Sequence, residues 1–170
     1  MLVYQQATHI ETMLNPQGKS QNVYYQAQDI LARRDHSENE IAAKLARKGF
    51  SPAQIQNAID WLIEKNLVDD RRFAAQYAEQ ILQSKPVGPA WIKDKLKRRG
   101  IETNIISQTV TRIFEAKNQA DLVRQAAASW QRVHPAPDSQ NRTERAKYKQ
   151  KLIRHLASRG FSYEAIGTVA

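Results

Sequence analysis

A helix, a glycine stop and a second helix that starts at once occur three times along this chain. That recurrence limits what the chain can fold into. The first instance is Ile41–Ile59, centred on Gly49; the others are centred on Gly100 and Gly160. Four residues before each glycine stand Leu45, Leu96 and Leu156, and eight before stand Ile41, Ile92 and Leu152. Immediately after come Phe50, Ile101 and Phe161, and six after come Ile55, Ile106 and Ile166. The shared glycine with four matched apolar positions reads as three repeats of roughly 45–60 residues.

Each anchor has a physical role. Residues four apart, such as Ile41 and Leu45, share one helical face. Arg47 and Lys48 place positive charge at the negative end of the helix dipole. Gly49 suits the left-handed residue that follows a helix, because it has no Cβ to clash. Ser51 then caps the next helix, Pro52 fits its first position, and Gln54 completes a capping box. Phe50 and Ile55 have the spacing of a hydrophobic staple, which would fix the angle between the helices.

Taken in order, residues 1–22 read as a loosely held tail with a short helix through Ile10–Leu14, and three repeats follow at 23–68, 69–118 and 119–170. In the first repeat, helices are expected over about 24–34, from Ser37-Glu38-Asn39-Glu40 onward, and over 52–65, with Asn66 replacing glycine at the end. The second should hold helices from Asp69-Asp70 to about Gln83, over 89–99 and over 103–115, with Phe73, Tyr77, Ile81, Ile106, Val110 and Phe114 inward. The third should hold helices over 119–132, over 143–158 and from Ser162, split by the proline loop at 134–139. No strand pattern survives. The expected fold is all-α: three stacked three-helix, helix-turn-helix-like modules in an elongated, curved array. Units this small bury little surface alone and lean on their neighbours.

Hydrophobic residues make up 41% of the 170, enough for a core. No run approaches the ~20 apolar residues that span a bilayer. No signal peptide is visible and no cysteine is present, which fits a cytoplasmic protein. The net charge of +9 points to an acidic partner. Residues 23–68 carry six basic and six acidic groups, residues 69–118 ten against six, and residues 119–170 nine against four. The excess therefore falls in the second and third repeats. It concentrates in Lys93, Lys95, Lys97, Arg98 and Arg99, opposed by Asp94, and in Arg145, Lys147, Lys149, Lys151 and Arg154. These ten cations are the candidate partner- or DNA-binding residues.

Catalytic signals are weak. His9, His36, His134 and His155 stand apart without metal spacing. The glycines form no phosphate loop, and no nucleophile motif is visible. Asp69-Asp70 reads as a helix cap in preference to a metal pair. The expectation is therefore a protein that is not an enzyme and has no cofactor or metal. Trp61 is read as packing and Trp91 as the better surface contact, with Trp130 able to stack on bases. Gln54, Gln56 and Asn57 are the only base-reading candidates of a helix-turn-helix kind, and sequence-specific reading is not expected. No coiled-coil pattern appears, so a monomer is expected.

Three motifs in order carry a resemblance. They are Ala-Arg-Arg-Asp-His-Ser-Glu-Asn-Glu-Ile-Ala-Ala-Lys-Leu-Ala-Arg-Lys-Gly-Phe (32–50), Leu-Val-Asp-Asp-Arg-Arg-Phe-Ala (67–74) and Val-Gly-Pro-Ala-Trp-Ile-Lys-Asp-Lys-Leu-Lys-Arg-Arg-Gly-Ile (87–101). Together they resemble the RecX family, bacterial regulatory proteins that modulate the RecA recombinase, over about residues 24–170. Asn66 departs from the family's frequent glycine, and the last helix is short. The resemblance implies tandem three-helix repeats and binding to the RecA–DNA filament. It also implies restraint of filament growth, strand exchange, ATP hydrolysis and coprotease activity. The basic modules would then meet acidic RecA surface, single- or double-stranded DNA, or both.

Overall fold

The computed structural model describes residues 22–138 and 140–169; the expected tail and its short helix at 10–14 lie outside them. Among the described residues there are nine helices and no strand. They are α1 (Val23–Leu31), α2 (Glu38–Arg47), α3 (Pro52–Glu64), α4 (Asp70–Ser84), α5 (Pro89–Arg98), α6 (Thr103–Ala116), α7 (Gln119–Val133), α8 (Arg142–Ser158) and α9 (Tyr163–Gly167). The chain divides into two compact units, one ending at Phe73 and one beginning at Ala74.

The three glycine corners take the form their sequence predicts. Gly49, Gly100 and Gly160 have φ of 90°, 75° and 82°. In each, the glycine N–H bonds the carbonyl three residues back, at 2.9 Å in all three. The next N–H then bonds the leucine carbonyl: Phe50 to Leu45, Ile101 to Leu96 and Phe161 to Leu156. This pair of bonds satisfies helix-end carbonyls that would otherwise lack partners. Asn66, at φ 55°, ends α3 in the same way, with Leu67 N–H bonding the Leu62 carbonyl. Ser37–Glu40 and Ser51–Gln54 both close as capping boxes.

In the first unit, α1, α2 and α3 pack on one another around Ala27, Ile41, Leu45, Ala58 and Leu62, all fully buried. Each large apolar side chain so buried contributes about 1.5–3 kcal/mol relative to exposure. Helix α1 stops at Leu31, short of the expected Arg34. The reason is local: the Arg34 guanidinium bonds the Asp35 carbonyl and both Glu40 oxygens, and the His36 ring bonds the Arg34 carbonyl at 2.8 Å. These bonds organise a turn that competes with further helix.

In the second unit, α5 packs on α6, and α7, α8 and α9 pack together. Ile92, Leu96, Leu156 and Ile166 fill the positions their repeat spacing assigns. Phe114 turns inward as expected, though not to full burial. It is half-buried and lies against the group formed by Leu122, Val123, Leu152 and Phe161. Leu82 of α4 joins the same group, so helices of the second repeat help cover the core of the third.

Candidate polyanion-binding surfaces

Helix α5 buries Ile92 and Leu96, and its cations distribute around that stripe by helical angle. Lys93 and Lys97 sit together on one flank, both exposed and without an ion pair among the described residues. Arg98 lies opposite the core and is paired with Asp94 at 2.9 Å. Lys95 and Arg99 occupy the other flank and are half-buried. The Lys95 ammonium lies 4.8 Å from the Trp91 ring centre, and Lys85, from the loop before α5, lies 4.4 Å from it. The Arg99 guanidinium lies 4.8 Å from the Tyr77 ring. Each such contact is worth about 0.5–1 kcal/mol at an exposed site. Trp91 therefore holds two ammonium groups near its ring. Tyr77, expected in the core, is half-buried and does the same for Arg99.

Helix α8 carries the second group. Asn141 caps it by accepting the Thr143 N–H at 2.9 Å. Only Leu152 and Leu156 are buried along its 17 residues, so the first turns stand clear of the core. Arg145, Lys147, Lys149, Lys151 and Arg154 are all exposed, and none forms an ion pair among the described residues. Lys147, Lys151 and Arg154 recur at a spacing of four and three, which puts them on one outward face. Arg145 and Lys149 form a second row.

Trp130 of α7 anchors the neighbouring surface. Its ring stacks on His134 at 4.5 Å, and Tyr148 and His155 pack at 5.2 and 6.0 Å. The Tyr148 hydroxyl donates to the His134 carbonyl at 2.9 Å, tying α8 to the proline loop. Beside the ring lies a hollow of about 350 Å³ with Lys85 and Arg159 among its walls. Burial, then the charge of Arg159, holds the His155 imidazole below its usual pKa. Trp61, read as packing, meets Tyr24 edge-on at 5.5 Å.

The Asp69-Asp70 pair caps helices. Asp69 accepts the Arg71 and Arg72 N–H groups at 2.8 and 3.1 Å, as the capping residue just before a helix does. Asp70 is buried and accepts the Glu38 N–H at 3.0 Å, serving the start of α2 from 32 residues away. Among the described residues, no three His, Asp or Glu side chains gather as a metal site requires. None of their helices is long and apolar enough to cross a membrane.

These features define an all-α protein of tandem three-helix domains with cations displayed on α5 and α8. Profiles of the RecX first, second and third three-helix domains match residues 24–62, 69–110 and 121–169. The chain belongs to the RecX family of regulatory proteins. It is 35% identical to regulatory protein RecX of Chlorobaculum tepidum over 88% of this chain and 87% of that one. It is 31% identical to that of Pseudomonas entomophila, over 83% and 84%. The crystal structure of RecX from Lactobacillus salivarius shares the fold, with a TM-score of 0.74 at 24% identity over 86% of this chain and 90% of that one.

Proposed function

We propose that this protein binds the RecA–DNA filament and inhibits the recombinase, ATPase and coprotease activities of RecA, with no catalysis of its own. Family membership supports RecA as the partner. The observation that supports a polyanion-binding surface is α8, where Arg145, Lys147, Lys149, Lys151 and Arg154 form no ion pair among the described residues. Cations left unpaired in the free protein can neutralise phosphates or carboxylates of a partner without first breaking an ion pair. In this reading the repeats 23–68, 69–118 and 119–170 act as binding modules, and the protein works as a cytoplasmic monomer.

The same cations support a second reading, a non-specific DNA-binding protein that affects recombination indirectly. One titration separates the two. A filament regulator slows RecA ATPase at amounts well below RecA and with DNA in excess. A DNA-coating protein acts only once the DNA is covered. Reversing Lys93, Lys97 and Arg98 to glutamate is expected to weaken inhibition while leaving the thermal midpoint near that of the parent. Unchanged inhibition per folded molecule would remove that helix from the contact.

A further inference from the structure

The summed charge of residues 23–68 is zero, yet the structure does not spread it evenly. A hollow of about 320 Å³ in the first unit is lined by Arg33, Lys44, Arg47 and Lys48, with Asp29 as its sole carboxylate. Lys44, Arg47 and Lys48, the residue that caps the end of α2, lie at spacings of three and four on one face, and Arg33 comes from the turn just after α1. Asp29 is engaged by Arg33 at 3.7 Å. Most other carboxylates of this unit lie elsewhere. Glu40 bonds Arg34, and Glu38, Asp69 and Asp70 meet at the start of α2 and α4.

The two ammonium groups are held in place by neutral acceptors. Lys44 Nζ donates to His36 Nε2 at 2.7 Å, and the His36 Nδ1–H donates to the Arg34 carbonyl at 2.8 Å. Lys48 Nζ donates to Oε1 of the buried Gln26 at 2.6 Å. A carboxylate in either place would fix the lysine and cancel its charge. A neutral imidazole and an amide fix it and leave the charge intact. Complementing the negative end of the α2 dipole accounts for cations on the last turn. It does not account for buried neutral partners that aim them.

We propose that this hollow binds a backbone phosphate of a nucleic-acid strand. Lys44 and Lys48 supply fixed charges and Arg47 and Arg33 supply guanidinium donors at the rim. The site uses none of the α5 or α8 cations, and it stands whether or not the protein slows RecA.

The test uses the full chain, a labelled oligothymidylate probe and a titration over salt. Replacing Arg47 and Lys48 with glutamine is expected to lower affinity about tenfold and to reduce the slope of log K against log salt by about one, for the one phosphate no longer neutralised. In NMR spectra of the parent, the probe should shift the His36 ring protons, which report the Lys44 hydrogen bond. Unchanged affinity and slope in a folded double variant would overturn the proposal. So would equal shifts from polyglutamate of the same charge, which would make the partner an acidic protein face. A His36 shift produced by inorganic phosphate and not by the oligonucleotide would overturn it as well.

Discussion

Gly88 and Gly160 meet backbone to backbone. The Gly88 N–H donates to the carbonyl beside Gly160, that of Arg159, at 2.8 Å, and the Ala90 N–H donates to the Gly160 carbonyl at 3.2 Å. Helix α5 has no side-chain cap on Gly88, so the end of α8 supplies acceptors that α5 lacks. A Cβ on Gly88 would run into the Gly160 carbonyl, and a Cβ on Gly160 would run into the Trp91 backbone. The contact joins the start of one basic helix to the end of the other within the second unit.

Alanine at three glycines should therefore have three different costs. Gly49→Ala meets no atom within 4 Å and strains only its φ of 90°, about 1–2 kcal/mol. Gly88→Ala has ordinary extended backbone and should be destabilised by about 1–3 kcal/mol by overpacking alone. Gly160→Ala combines both and should be the least stable, by roughly 2–5 kcal/mol. Urea unfolding followed by circular dichroism ranks them. A Gly160→Ala protein no worse than Gly49→Ala would show that the α5–α8 approach is loose.

His36 makes stability depend on mildly acidic pH. It is buried, and burial, with the charges of Arg34 and Lys44 nearby, holds its pKa below the ordinary 6.5 against the opposing hydrogen bond to the Arg34 carbonyl and a weaker pull from Glu40. The folded protein keeps the ring neutral while the unfolded chain protonates near 6.5, so the unfolded state binds more protons in between. Stability from this group is complete above that value and falls away as pH drops toward the lower folded pKa. His155 has the same sign. Urea midpoints from about pH 7.5 down to about 5 should fall, and His36→Gln should flatten the curve. A midpoint that rises on acidification would contradict the neutral, lysine-accepting ring.

Asp70 should behave in the opposite sense. Its burial raises the carboxyl pKa, opposed by the bond from Glu38 N–H and helped by Asp69. The unfolded chain gives up its proton near 3.8, before the folded protein does, so stability falls as pH rises through that window. Asp70→Asn keeps an acceptor for Glu38 and removes the charge, and should match or exceed the parent at neutral pH. Asp70→Ala leaves the amide unserved and should be weaker by about 1–3 kcal/mol. Thermal midpoints of the two variants at neutral pH decide it. An asparagine variant as weak as the alanine one would mean that the negative charge itself is needed.

The repeats and corners are legible in the sequence because each depends on neighbours along the chain. Glycine, the leucine four before it and the apolar residue after it belong to one turn of helix and one capping motif. Periodicity turns Phe114 inward but does not say which group it meets, since it gives a face and not the body that face packs on. Gly88 reads only as a break, because nothing local announces a partner some seventy residues on. The lysine hollow is hidden by arithmetic: Asp29, Glu38, Glu40 and Asp60 cancel the cations in a sum and not in space. Trp91 reads as a surface contact, and its ring instead carries Lys85 and Lys95. That pairing joins a loop residue to a helix residue.

The outward row on α8 gives the most direct view of what this protein touches. Lys147, Lys151 and Arg154 are exposed, so glutamine at all three should leave folding within about 0.5 kcal/mol of the parent, as surface changes usually do. If the row lies on phosphates, oligonucleotide affinity drops and the salt slope falls by about three, near one per cation removed. If it lies on acidic RecA surface, oligonucleotide binding is unchanged while binding to the assembled filament weakens, with a shallower salt response than counterion release produces. Anisotropy with free strand and with filament, each at several salt concentrations, separates the two. A triple variant that inhibits RecA as well as the parent, at equal folded concentration, would exclude α8 from the contact and leave the function to α5 and the first unit.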